Sequence, residues 1–103
     1  MIKGAKIMVG GEEMVLPPLN LDDVEQYWLE LMDGSFIRNL KACTEVFHSA
    51  LVRNYPEMTL TELRKKMQPG ELVTNLPVLM KQSGFIISGE MSGGSKNSPT
   101  GKA

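Results

Sequence analysis

The run Tyr55-Pro56-Glu57-Met58-Thr59-Leu60-Thr61-Glu62-Leu63 constrains this chain more than any other. Proline pushes the residue before it out of helical geometry, so a helix arriving through Val46 to Asn54 must stop at Tyr55. Thr59 and Glu62 then have the spacing of a capping box: the hydroxyl and the carboxylate can each accept a free first-turn amide. Met58 and Leu63 stand at the two positions of a hydrophobic staple. The segment dictates a helix, a hard stop and a new helix.

The helix before the stop starts near Ser35, which can cap it. Phe36, Leu40, Cys43, Phe47, Ala50, Leu51 and Asn54 share one face. Upstream, Asn20 is an N-cap candidate, with Asp22 and Asp23 in the first turn favouring the helix dipole. Leu21, Val24, Trp28, Leu31 and Met32 form a stripe at helical spacing, and Gly34 fits the C′ position, so a helix is expected over Leu21 to Asp33. On this spacing Trp28 is a core residue, Tyr27 lies at the stripe's edge and Leu29 lies off it.

Lys6 to Val9 and Glu13 to Leu16 flank Gly10-Gly11, a pair that tolerates the positive φ of a tight hairpin turn. Pro17-Pro18 ends the hairpin. A two-stranded hairpin is marginal alone, so it must pack on helices or pair with another chain's strand. After the capping box, Leu60, Leu63 and Met67 form a narrow stripe. Arg64, Lys65 and Lys66 suit the C-terminal turn, and Gln68-Pro69-Gly70 ends this helix. Leu72, Val73, Leu76, Leu79 and Met80 predict a fourth helix, which Pro77 should kink or restart near Asn75 and Gly84 should close. Phe85-Ile86-Ile87 is a last short apolar run. From Ser88 to Ala103 the composition is too polar and glycine-rich to offset its ordering entropy, which predicts a disordered tail.

The expected fold is mainly α (α+β): an N-terminal hairpin, a small bundle of about four helices and a loose tail. Residues 1–87 form one domain and residues 88–103 a flexible Gly/Ser-rich tail. A length of 103 residues with 42% apolar content suits a single modest core. The net charge of -1 argues against a broad nucleic-acid surface. No stretch approaches a membrane span, and no signal peptide is read at the N-terminus. A single cysteine forbids an intrachain disulfide and suits a reducing cytoplasm.

No catalytic constellation is legible, and no cofactor or metal is expected. His48 is the only histidine and lacks a ligand partner or nucleophile; Cys43 reads as a small core residue. Glu12-Glu13 and Asp22-Asp23 are explained by a turn and a helix start. Gly10-Gly11 and Gly93-Gly94 do not make a phosphate loop. Eight methionines are many for this length, and methionine serves either as core filler or as adaptable contact surface. Tyr27, Leu29, Val52 and Tyr55 are the candidates for a partner-binding surface. A helix-turn-helix reading of the Pro56 junction fails to find base-reading side chains on one face of the second helix.

Leu16-Pro17-Pro18-Leu19-Asn20-Leu21, ahead of a helix carrying Trp28, resembles the opening of the small tail assembly chaperones of long-tailed, lambda-like bacteriophages. Val46 to Leu63, with His-Ser-Ala-Leu, Arg-Asn-Tyr-Pro-Glu-Met-Thr and Glu-Leu, is similar to that family's middle helix and turn. The hairpin and the Ser83-Gly84-Phe85 closure also fit, so the resemblance spans about Lys6 to Phe85. It implies a non-enzymatic protein of the bacterial host cytoplasm, absent from the mature virion, that engages the tape-measure protein and the tail-tube subunits. It further implies a short form whose C-terminus is where a frameshifted extension would begin. Self-association is open. A structural tail-completion or head–tail joining protein and a small helix-turn-helix DNA-binding regulator are the alternatives.

Overall fold

The computed structural model describes residues 1–85, and the element order is β1 Ala5–Val9, β2 Glu12–Leu16, α1 Leu21–Val24, α2 Trp28–Asp33, α3 Leu40–Leu51, α4 Leu60–Lys66 and α5 Pro69–Gln82. A 3-10 turn, Glu25–Tyr27, joins α1 to α2, and another, Phe36–Arg38, precedes α3. Counting Leu21 to Asp33 as one broken helical stretch, an N-terminal hairpin is followed by four helical units among the described residues, as the sequence predicts. The expected tail, and Ile86-Ile87 of the last apolar run, lie outside the described residues.

β1 and β2 pair antiparallel with Ile7 opposite Met14 and Val9 opposite Glu12. Gly10 and Gly11 turn the chain at φ 61° and 83°, the left-handed values that a two-residue hairpin of this kind requires. Alternation puts Ile7, Val9, Met14 and Leu16 into the core, and Lys6, Met8 and Glu13 outward.

The end of α3 and the end of α5 supply bonds that the two-stranded hairpin lacks. The Tyr55 hydroxyl accepts from the Val15 amide at 2.7 Å, and Asn54 Nδ2 donates to the Val15 carbonyl at 3.2 Å. Together they satisfy both outward-facing groups of Val15 on an otherwise bare strand edge. The Gln82 side-chain amide bonds the Ala5 amide and the Leu16 carbonyl, tying the open end of the ladder to α5. At the turn, Glu71 accepts from Gly10 and Gly11 amides at 2.8 and 3.4 Å.

α3 is the central element, burying Ala42, Cys43, Thr44, Val46, Phe47, Ala50 and Leu51. Two expectations for it are corrected. Its cap is Asn39, whose Oδ1 accepts from the Ala42 amide at 3.0 Å, and Ser35 makes no side-chain cap bond. The backbone is extended at Asn39, so Phe36 is buried from a separate 3-10 turn while Leu40 faces solvent. The helix also ends at Leu51; Asn54 and Tyr55 both donate their amides to the Leu51 carbonyl in a tightened turn. That early stop aims their side chains at the hairpin.

The capping box at Thr59 and Glu62 forms as expected, with amide-to-oxygen distances of 2.9 and 3.1 Å, and Leu63 is fully buried with Met58 against the same core. Pro69, expected to end a helix, instead begins α5 at its first position, where a missing amide costs nothing. α5 then continues through Pro77. The residue lies on the exposed side, so the Val73 carbonyl it leaves unbonded faces water. Gly84 closes the helix at φ 91° in a Schellman arrangement, the Phe85 amide bonding the Met80 carbonyl at 3.0 Å.

Candidate partner-binding surface

Two apolar stripes run along Leu21 to Asp33, and only one can face the core. The start of α1 decides which. The Asn20 side chain accepts from the Asp23 amide at 3.0 Å, and Asp23 Oδ2 accepts from the Asn20 amide at 2.9 Å. The same Oδ2 accepts from Arg53 Nη2 at 2.7 Å, and that nitrogen also donates to the Pro18 carbonyl at 2.6 Å. Arg53 thus holds the entry to α1 against the end of α3.

From that anchored start, Val24 turns inward. In the 3-10 turn that follows, residues three apart eclipse, so Tyr27 falls in line behind Val24. Its ring packs on Phe36 with centroids 6.2 Å apart, and its hydroxyl donates to Glu45. The carboxylate accepting this proton, aided by burial, pushes the Tyr27 pKa up to about 12. Leu31 packs partly against the same core.

The other stripe is left outside. Leu21 is 80% exposed, Trp28 45%, Leu29 77% and Met32 57%. Leu21, Asp22, Val24, Glu25 and Trp28 line a shallow open depression. The expected stripe Leu21, Val24, Trp28, Leu31 and Met32 is split: Val24 and Leu31 face the core, while Leu21, Trp28 and Met32 face solvent, so Trp28, expected in the core, is a surface residue. The competing stripe Val24, Tyr27, Leu31 was the signal for the buried face, and Tyr27 carries its hydroxyl to a partner eighteen residues on.

Of the four residues predicted to contact a partner, Leu29 belongs to this exposed face. Tyr27 is buried and committed to Glu45, and Tyr55 is half-buried and committed to Val15, so neither offers a free surface. Val52 is half-buried at the C-cap of α3. Leu21, Trp28 and Met32 are the surface residues that spacing alone assigned to the core.

The reactive side chains have structural tasks. His48 Nε2 lies 2.8 Å from the Met58 carbonyl, so a protonated Nε2 donates across the turn and ties α3 to the staple residue. Cys43 is buried, its thiol donating to the Phe36 carbonyl at 3.2 Å, and burial pushes its pKa up, away from the thiolate. Glu12 pairs with Lys66. Among the described residues, no three His, Cys, Asp or Glu side chains come together as metal ligands would, and no helix is long and apolar enough to cross a membrane. No family model, curated protein or solved structure matches the chain.

Proposed function

We propose that the chain is a non-enzymatic tail assembly chaperone of a long-tailed bacteriophage. In this reading it binds the tape-measure protein and tail-tube subunits during tail morphogenesis in the host cytoplasm, and it leaves before the particle is complete. The observation that supports a holding role is the apolar face Leu21, Trp28, Leu29 and Met32, left open while a second apolar face of the same helical stretch is buried. A long helical client exposes apolar faces before it assembles and aggregates unless they are covered. A helix face bearing tryptophan, leucine and methionine can lie against such a segment and adapt to it.

The test is co-expression with the long, helix-rich product of the phage reading frame beside this one. Retention of that product in the soluble fraction and its co-purification support the reading; unchanged insolubility without co-purification contradicts it. Mass spectrometry of purified particles separates a chaperone from a tail-completion or head–tail joining subunit: a chaperone is missing from them, whereas a structural subunit is present.

A further inference from the structure

We infer that the open face of α1 and α2 takes a basic amphipathic helix, one whose apolar side is bordered by Lys or Arg. This rests on the reading of that face as a binding surface and adds the chemistry of its occupant.

The charged residues of the segment that carries the face are all acidic. Asp22, Asp23, Glu25, Glu30 and Asp33 all lie between Asn20 and Ile37, and the first Lys or Arg beyond Asn20 is Arg38. Asp23 is spent on Arg53. Asp22, Glu25 and Asp33 are exposed, and Asp22 and Glu25 line the same depression as Leu21 and Trp28. Arg38 acts on Asp33 as Arg53 does on Asp23, which leaves Asp22 and Glu25 as the carboxylates beside the apolar centre.

These carboxylates select among occupants. A second copy docking by the same face would bring carboxylate against carboxylate, which disfavours pairing. Anionic lipid and nucleic-acid phosphates are repelled for the same reason. A helix with leucines on one side and lysines flanking them matches both parts of the surface, its apolar side chains covering Trp28, Leu29 and Met32 while its ammonium groups meet Asp22 and Glu25. Met32 supplies an unbranched, deformable contact that accepts imperfect side-chain fits.

The experiment uses the full chain and two synthetic peptides of about 18 residues, long enough to be helical, with identical leucine patterns and either Lys or Glu at the polar positions. Trp28 is the only tryptophan, so its emission reports occupation directly. The expected result is a blue shift with the Leu/Lys peptide, an affinity at least about tenfold above that of the Leu/Glu peptide, and weakening with added salt. Asp22→Asn with Glu25→Gln should remove most of that preference, and Met32→Asp should abolish the shift for both peptides. Equal binding of the two peptides, a preference for Leu/Glu, or an unmoved emission spectrum overturns the inference. Failure of the tape-measure product to co-purify would instead contradict the chaperone reading and leave the peptide preference standing.

Discussion

Arg53 reaches from the end of α3 to the first turn of α1, where its Nη2 meets Asp23 Oδ2 at 2.7 Å. The Asp23 side chain is 8% exposed and that of Arg53 26%, so this pair is shielded from the screening that makes most surface ion pairs weak. It also sets the rotation of the helix that follows. Removing Arg53 leaves the buried Asp23 carboxylate without its counter-charge, with the Asn20 amide as its remaining partner. Arg53→Met should therefore cost about 2 kcal/mol and lower Tm by roughly 10 °C. In a double-mutant cycle with Asp23→Asn, read by urea denaturation, the two losses should fall clearly short of additivity.

Glu71 ties the hairpin turn to the start of α5, accepting from Gln68, Gly10 and Gly11 amides. Those bonds favour the carboxylate and lower its pKa from the ordinary 4.5. A group whose folded pKa is depressed stabilises the fold above its unfolded pKa and loses that contribution as pH falls through the folded value. Wild type should thus be more stable than Glu71→Gln at neutral pH. The difference should shrink as pH falls below the ordinary value of 4.5, which thermal melts across that range would show.

Tyr27 has the opposite sign of dependence. Its pKa is raised, so its contribution is complete below the ordinary tyrosine value of 10.0 and is lost as pH rises through about 12. Tyr27→Phe should cost about 1.5–3 kcal/mol at neutral pH, the range for a hydrogen bond to a charged acceptor. In alkaline titration the wild type should lose stability over that interval and the variant should lack this loss. Near-ultraviolet absorbance at the tyrosinate band gives the same test optically.

The two turn glycines should respond unequally to alanine. A Cβ on Gly10 would sit 2.4 Å from Lys66 Cγ and 2.7 Å from its carbonyl oxygen, whereas one on Gly11 meets nothing within 4 Å. Both have positive φ, so both substitutions carry backbone strain of about 1 kcal/mol. Gly10→Ala adds a clash against backbone and should cost about 3 kcal/mol in total. Chemical denaturation of the two variants side by side checks the difference.

Much of the fold was legible because local chemistry and tertiary packing agree. Gly10-Gly11, the Thr59–Glu62 box, Gly34 and Gly84 all do what their sequence positions predict. The errors came where two local signals competed. Phe36 and Leu40 have helical spacing, but Asn39 prefers to cap, and its extended backbone splits the stripe. Pro69 reads as a stop, yet Gln68 and Glu71 three residues apart make it a start. In Leu21 to Asp33 both stripes are apolar, and the choice falls to Arg53, a residue thirty positions beyond Asp23. No periodicity within the segment carries that information, so spacing alone places Leu21, Trp28 and Met32 in the core.

The most direct measurement of the proposed chaperone role is co-purification of a tape-measure product with three versions of this chain. Leu29→Asp with Met32→Asp changes the open face of α2, and Val73→Asp changes a residue of α5 that is 71% exposed. All three proteins should fold alike by circular dichroism, since the substituted side chains are largely in water. The client should be held by wild type and Val73→Asp and lost from the Leu29/Met32 variant. Equal retention by all three would contradict the assignment of that face as the holding surface.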